Sequence, residues 1–160
     1  MAKQKFHPSV QKVVMARTLL SMWPEIDKQV SRLHNKVYNT AILSAENHKM
    51  ICHQIVDKII DTLVLKEILL DVKDKVENLV ASLPTKYRQV VRSYFLHRLS
   101  SGEIKEELLV TERTVHRIIN DGVEQFARGM LHEGINTFTF NDLVRRSAWV
   151  RRVAYPNTKA

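Results

Sequence analysis

Glycine, proline and cysteine are scarce in this chain of 160 residues, and each shortage excludes a class of protein. There are four prolines and four glycines, of which the first is Gly102. A β-sandwich or barrel needs a turn about every ten residues, and a Rossmann or P-loop site needs clustered glycines, so these folds are excluded. The single cysteine, Cys52, excludes a disulfide framework and a cysteine-rich zinc site, and it fits a reducing cytosol.

Long hydrophobic runs are also missing. No segment approaches the roughly 18 apolar residues of a membrane span. The basic N-terminus is not followed by the apolar segment of a signal peptide. We therefore expect a soluble, intracellular protein that does not contact membranes.

The charge is basic overall but unevenly distributed, with 25 Lys and Arg against 17 Asp and Glu and a net charge of +8. Residues 83–138 hold eight basic and seven acidic side chains, whereas residues 139–160 hold five and one. A basic balance favours nucleic acid or another acidic partner and carries no information about fold. The tail RRSAWVRR is either a solubilising end or a surface for phosphate or a polymerase, with Trp149 as an apolar anchor.

Apolar residues recur at helical spacing along most of the chain, which predicts an all-α fold. The first helix has this spacing at Val10, Val13, Val14, Arg17 and Leu20. A second helix follows Trp23-Pro24, and residues 40–47 are predicted to form a loop. Residues 46–82 lack Gly and Pro and predict one bent helix or two. Their heptad-like run from Leu65 to Leu83 packs inside the protein or, alternatively, forms the seam of a homodimer.

Three segments follow from these patterns. Residues 1–82 form an N-terminal helical module, residues 83–134 a helix-turn-helix domain, and residues 135–160 a basic C-terminal helix and tail. Asn141 is the predicted cap of that last helix.

Residues 101–123 have the layout of a helix-turn-helix, with a short helix, a tight turn and a second helix capped by Thr111. Ile104 and Leu108 on the first helix are expected to pack against Val115 and Ile118 on the second, and Val110 is expected to fill the turn. The second helix is expected to bury Val115, Ile118, Ile119, Val123 and Phe126.

Long hydrogen-bonding side chains occupy the outward positions of the second helix, and they are Glu112, Arg113, His116, Arg117 and Asn120. In the major groove Arg can bind guanine, Asn can bind adenine and Glu can accept from cytosine, each good pair giving about 1–3 kcal/mol of discrimination. Thr111 and Thr114 at the start of this helix are predicted to hold phosphates and set the register.

The segment ASLPTKYRQVVRSYFLHRLSSGEIKEELLVTERTVHRIINDGVEQF resembles the C-terminal DNA-binding region of sigma factors. The matching positions are Leu83-Pro84, Arg88, Glu103-Ile104, Val110 and Thr114-Val115. TERTVHRI is similar to the recognition helix of the ArpU and RinA type of phage activators, which drive late-gene transcription in prophages of Gram-positive bacteria. Lys105 and Leu109 depart from the sigma pattern, which usually has a small residue and a glycine there. Because the glycine is missing, we expect the turn to close without a left-handed residue.

This resemblance implies a sequence-specific regulator that binds double-stranded promoter DNA and recruits RNA polymerase in the cytoplasm of a bacterial host. Arg88 and the tail arginines Arg145, Arg146, Arg151 and Arg152 would then hold phosphates. Two other classes stay open. One is a DNA-packaging recognition subunit resembling a small terminase, and the other is an adaptor or anti-repressor that binds only protein.

Enzymatic and metal chemistry have little support in the sequence. His48, Cys52 and His53 lack the fourth ligand of a structural zinc site. Carboxylates between residues 61 and 77 alternate with lysines, as on a solvated helix face. We therefore expect no catalysis, no cofactor and no metal ion. Opening a promoter alone would need exposed aromatics, and residues 1–82 offer only Phe6, Trp23 and Tyr38.

Overall fold

All regular secondary structure that the structure describes is helical, in agreement with the predicted all-α fold. The computed structural model describes residues 8–46 and 52–157, and these contain no strand. The helices are α1 (Val10–Met22), α2 (Ile26–Glu46), α3 (Cys52–Ser82), α4 (Thr85–Val91), α5 (Ser101–Leu108), α6 (Glu112–Gly129), α7 (Thr137–Arg146) and α8 (Ala148–Ala154). A 3₁₀ turn (Trp23–Glu25) separates α1 from α2, and a π-helical turn (Arg92–Leu96) follows α4. No helix in the described ranges combines the length and the apolar character of a bilayer span.

The described residues fall into two compact units. The smaller unit comprises the described residues between 25 and 74, and the larger unit comprises residues 8–24 together with 75–157. Helix α1 therefore shares a unit with the predicted helix-turn-helix, although α2 and most of α3 lie between them in the sequence. The segment boundaries predicted after residues 82 and 134 do not follow this division, and they stay predictions.

Helix α6 is at the centre of the larger unit, where α1, α4 and α5 pack against it and α1 also packs against α8. The buried side chains of α6 include all five that were predicted: Val115, Ile118, Ile119, Val123 and Phe126. Complete burial of one aliphatic or aromatic side chain is worth about 1.5–3 kcal/mol. The apolar side of α6 is therefore firmly fixed, and its remaining side chains face outward.

Gly122 allows α4 to approach α6 closely. A Cβ atom at position 122 would lie 2.8 Å from Cγ2 of Val91 and 3.5 Å from Cβ of Tyr87. Val91 is itself fully buried, so its methyl group has little room to move. Any side chain at position 122 would push the two helices apart.

In the smaller unit, helix α2 extends to Glu46, so the loop predicted from residue 40 is wrong over the described part of that segment. The hydroxyl groups of Thr40 and Ser44 donate to the carbonyls of Lys36 and Ala41 within the same helix. Polar side chains of this kind can be accommodated inside a helix when they bond back to the preceding turn. Residue 47, the end of the predicted loop, lies outside the described residues.

The heptad-like positions of α3 are largely buried within the single chain, as the first of the two interpretations requires. Leu69, Val76 and Leu79 are buried in α3, and Leu83, the last residue of the run, is buried just after the helix. Helix α3 is continuous over Cys52–Ser82, within the predicted segment 46–82 that lacks Gly and Pro. Other large apolar side chains of α2 and α3 stay exposed, namely Tyr38, Ile42, Leu43, Val56, Ile60, Leu63 and Leu70. A homodimer stays a prediction.

Two short helices, α7 and α8, replace the single C-terminal helix predicted to begin at Asn141. Asn136 caps α7 in a reciprocal capping box, in which its Oδ1 and the Oγ1 of Thr139 each accept a backbone N–H at 3.0 Å. Ser147 ends α7 and caps α8 by accepting the backbone N–H of Val150 at 3.3 Å. The predicted cap at Asn141 is wrong. The capping box forms between Asn136 and Thr139, so α7 begins before Asn141 and contains it.

Replacing Gly122 by alanine should lower the thermal stability of the protein. The clash with Val91 costs about 1–3 kcal/mol and outweighs the gain of up to about 1 kcal/mol in helix propensity. Gly102 is the matched control, because a Cβ there would meet only Oγ of Ser100 at 3.8 Å. We expect Gly102→Ala to be neutral or stabilising in the same thermal denaturation experiment. Equal, upward shifts of the melting temperature in both variants would contradict the close approach of α4 and α6.

Candidate nucleic-acid interface

A complete capping box starts α5, the first helix of the motif. Oγ of Ser100 accepts the backbone N–H of Glu103 at 3.2 Å, and the backbone N–H of Ser100 donates to Oε2 of Glu103 at 2.7 Å. Hydrogen bonds from the backbone and then the side chain of Ser100 lower the pKa of Glu103. The start of α5 is therefore fixed by the reciprocal hydrogen bonds of Ser100 and Glu103.

The turn between α5 and α6 does contain a left-handed residue, so the expectation of a turn without one is wrong. Leu109 has φ 54° and ψ 42°. Its backbone N–H and that of Val110 both donate to the carbonyl of Lys105, which ends the helix. A left-handed conformation costs a residue with a side chain about 1–2 kcal/mol. The side chain of Leu109 is 91% exposed, so leucine is tolerated without a steric clash from neighbours.

Thr111 caps α6, as predicted. The backbone N–H of Thr114 donates to Oγ1 of Thr111 at 3.3 Å, and the two hydroxyl oxygens lie 2.9 Å apart. Both side chains are thus already hydrogen-bonded to each other and to the helix end. The remaining N–H groups of the first turn and the positive end of the helix dipole are the features that would attract a phosphate.

The two helices of the motif pack against each other. Ile104 of α5 and the α6 residues Val115 and Ile118 are buried, which confirms their predicted packing. Leu108 is 37% exposed, and its packing against α6 stays a prediction. It lines an open cavity of about 390 Å³, together with Gln89, Val90, Arg92, Ser93, His97, Ile104 and Glu107. Val110 is half-buried in the turn.

All five side chains predicted to contact bases are exposed along α6: Glu112, Arg113, His116, Arg117 and Asn120. Their spacing places them on one side of the helix, opposite its buried stripe. Within the described residues, the guanidinium groups of Arg113 and Arg117 make no hydrogen bond or ion pair. Two unpaired cations on an exposed helix face can therefore bind an outside acceptor without first breaking an internal contact.

Glu112 links the two helices of the motif. Its Oε1 accepts a hydrogen bond of 2.7 Å from Oγ of Ser101, and lies 3.8 Å from Nε2 of His116. The hydrogen bond from Ser101, followed by the charges of His116 and Lys105, lowers the pKa of Glu112. Glu112 is thus kept ionised, and Ser101 fixes its orientation at the start of α6.

Asn120 contacts a helix outside the motif. Its Oδ1 accepts a hydrogen bond from Nη2 of Arg17, which belongs to α1. Sequence reasoning did not find Arg17 as a site residue, because 103 positions separate it from its partner. The available signal was that an arginine occupies an apolar position of the first helix, where a charged side chain needs a hydrogen-bond partner.

Arg88, predicted to hold phosphate, closes the connection between α3 and α4. Its Nη1 donates to the carbonyl of Ala81 at 3.2 Å and its Nη2 to Oγ1 of Thr85 at 3.4 Å. Since a guanidinium carries five N–H groups, these bonds leave others for an external acceptor.

The four tail arginines differ in their partners. Arg145 and Arg146 bind the carboxylate of Asp142 at 2.7 and 2.9 Å, and these bonds lower its pKa. Nη2 of Arg151 donates to the carbonyls of Val144 and Arg145 at the end of α7. Within the described residues, only Arg152 of the four has no such partner. Trp149, the predicted anchor, is half-buried.

No cluster suited to a metal ion is present among the described residues. No three His, Cys, Asp or Glu side chains in this part of the chain come together. Cys52 is exposed, and His48 lies outside the described residues.

The architecture of α5, the turn and α6 is that of a helix-turn-helix, the class to which many non-enzymatic DNA-binding regulators belong. Residues 73–125 match the family model of Sigma-70, region 4, over about a third of the chain. This match supports DNA binding and a role connected with transcription. No curated protein and no solved structure matches the chain.

Ser101→Ala should return the pKa of Glu112 toward its ordinary value of 4.5, because the strongest of its stabilising hydrogen bonds is lost. Carboxyl NMR titration measures this pKa. Ser100→Ala is the matched control, since it should raise the pKa of Glu103 in part and leave that of Glu112 lowered.

The sign of the accompanying stability change follows from linkage. A carboxylate with a lowered pKa stabilises the fold above its unfolded pKa, and this stabilisation is lost as the pH falls through the folded pKa. Wild type and Ser101→Ala should therefore differ in melting temperature at neutral pH and converge in acid. A pKa of Glu112 that is the same in all three proteins would show that Ser101 does not bind it.

Proposed function

We propose that this protein is a sequence-specific transcription activator that binds promoter DNA through α6 and recruits bacterial RNA polymerase. The specific role is that of a phage or prophage late-gene activator of the ArpU and RinA type. The similarity of residues 73–125 to Sigma-70 region 4 supports the transcriptional class. The phage role rests on the resemblance of TERTVHRI to the recognition helices of those activators.

The observation that carries DNA binding is the pair of unpartnered guanidinium groups on α6. Arg113 and Arg117 are exposed on the side of the helix opposite the buried stripe. A helix of this kind fits the major groove, where each arginine can make two parallel hydrogen bonds to O6 and N7 of guanine. Because residues 83–138 are almost neutral, these side chains act through their positions and not through a strong general field.

Backbone phosphates are held by a second set of groups. The start of α6 at Thr111 and Thr114, together with Arg88, faces one strand of the duplex in this proposal. Of the tail arginines, Arg152 has its whole guanidinium available for phosphate within the described residues, whereas Arg145, Arg146 and Arg151 can offer only the N–H groups that Asp142 and the end of α7 leave over. Such contacts position the protein on DNA without selecting a sequence.

The protein assists a polymerase and does not open promoters alone. Trp23, an aromatic that promoter melting would use, is 4% exposed. The guanidinium of Arg92 lies 5.9 Å from the centre of its ring, so the indole is engaged inside the larger unit. Phe6 lies outside the described residues, and Tyr38 is exposed in the smaller unit.

Arg113→Ala combined with Arg117→Ala should weaken binding to the promoter by at least about tenfold, because each bidentate arginine–guanine pair is worth about 1–3 kcal/mol. The same double variant should no longer stimulate transcription by bacterial RNA polymerase on fragments of the surrounding genome. The matched control, Arg32→Ala with Lys36→Ala, removes the same charge from exposed positions of α2 and should keep both activities.

Footprinting and run-off transcription distinguish the outcomes. Unchanged footprints in the Arg113 and Arg117 double variant would overturn base recognition by α6. Binding without stimulation, with ring-sized particles in light scattering, would instead support a packaging subunit. Absence of any salt-dependent DNA affinity would support an adaptor that binds only protein.

Arg152→Ala should reduce the dependence of DNA affinity on salt. Loss of one phosphate contact lowers the slope of log affinity against log salt by about 0.9. Arg151→Ala is the control of equal charge, and it should lower the melting temperature while changing the slope less, because its guanidinium caps α7. An unchanged slope in Arg152→Ala would remove this residue from the phosphate set.

A further inference from the structure

Arg17 contacts α6, the helix proposed to read DNA, although it lies outside the segment that matches the family model. It lies in α1, packs with that helix against α6 in the larger unit, and is half-buried. Its Nη2 donates to Oδ1 of Asn120. The matched segment begins at residue 73, so similarity to region 4 says nothing about this contact.

The contact fixes the orientation of the Asn120 amide. A guanidinium has only donors, so the amide atom that faces Arg17 must be the oxygen. The two N–H groups on Nδ2 of Asn120 then point away from Arg17. Within the described residues they have no hydrogen-bond partner, and neither do the other N–H groups of Arg17.

We propose that Arg17 and Asn120 act together as a donor-only pair that selects guanine at one position of the DNA site. This inference rests on the proposed function, in which the outward face of α6 lies in the major groove. Arg17 is a positioning residue in this arrangement, because it fixes the amide of Asn120 and places a cation beside the amide oxygen.

The choice of guanine follows from the edges that bases present in the major groove. Guanine offers two acceptors, N7 and O6, and no donor, so it matches a pair with free N–H groups. Adenine offers N7 and a donor at N6, and its bidentate contact with asparagine needs the amide oxygen. The cation and N–H donors of Arg17 beside that oxygen repel a second donor such as N6–H of adenine. Cytosine presents a donor at N4, and thymine presents one acceptor beside a methyl group.

Removing Arg17 should therefore change which base is preferred, and not only how tightly DNA is bound. In Arg17→Leu, the amide oxygen of Asn120 is free, and Asn120 regains the donor and acceptor that adenine requires. A purely structural role of Arg17 in packing α1 on α6 would weaken binding to all sequences without changing the ratio of guanine to adenine. The base ratio thus separates positioning from packing.

The test is selection of the full-length protein on a pool of randomised duplex DNA, followed by sequencing. The position recognised by Asn120 is the one whose preference is lost in Asn120→Ala. Arg17→Leu is compared with Arg32→Leu, which removes the same charge from an exposed position of α2. Circular dichroism verifies that each variant is folded.

We expect wild type and Arg32→Leu to prefer guanine at that position. In Arg17→Leu the ratio of guanine to adenine should fall by at least about tenfold, within the range of discrimination of a bidentate pair. A smaller change, another preferred base in wild type, or the absence of any position that depends on Asn120 overturns the donor-only pair alone. Failure of the wild-type protein to enrich any sequence overturns the proposed function, and this inference with it.

Discussion

The burial of one side of α6 is the constraint on which the rest of the larger unit depends. Val115 and Phe126 are completely inaccessible, and Gly122 between them allows α4 to lie against the helix. A helix held in this way cannot rotate about its axis without exposing apolar surface. The outward direction of Arg113 and Arg117 is therefore a consequence of packing, and the chemistry of the exposed face follows from it.

Charge in this protein is used largely inside the chain. Asp142 binds Arg145 and Arg146, and Arg151 and Arg88 donate to backbone carbonyls at the ends of helices. A basic composition therefore overstates the number of cations available to a partner. On α6 itself, Arg113 and Arg117 have no internal partner in the described structure and lie on the face opposite the buried stripe.

Local patterns predicted the parts of the fold that local physics determines. The buried stripe of α6 and the cap at Thr111 follow from helical spacing and from a threonine hydroxyl that reaches a free N–H. The left-handed Leu109 was missed because its backbone strain is compensated by the packing of the helices on either side, which is not a property of the residue itself. Contacts between distant segments, such as that of Arg17 with Asn120, have no local signal.

The packing of α1 on α6 influences the order in which the protein folds. Their side chains meet across 103 positions of sequence, and closing so long an intervening segment is entropically unfavourable and slow. During synthesis the recognition helix emerges well after α1, and α8, which packs on α1, emerges later still. Assembly of the DNA-binding face is therefore a late event. A nascent chain that has just completed α6 already contains α1, α4 and α5 but still lacks α8, and a truncated chain that begins after α1 has the motif without one of the helices that pack on α6.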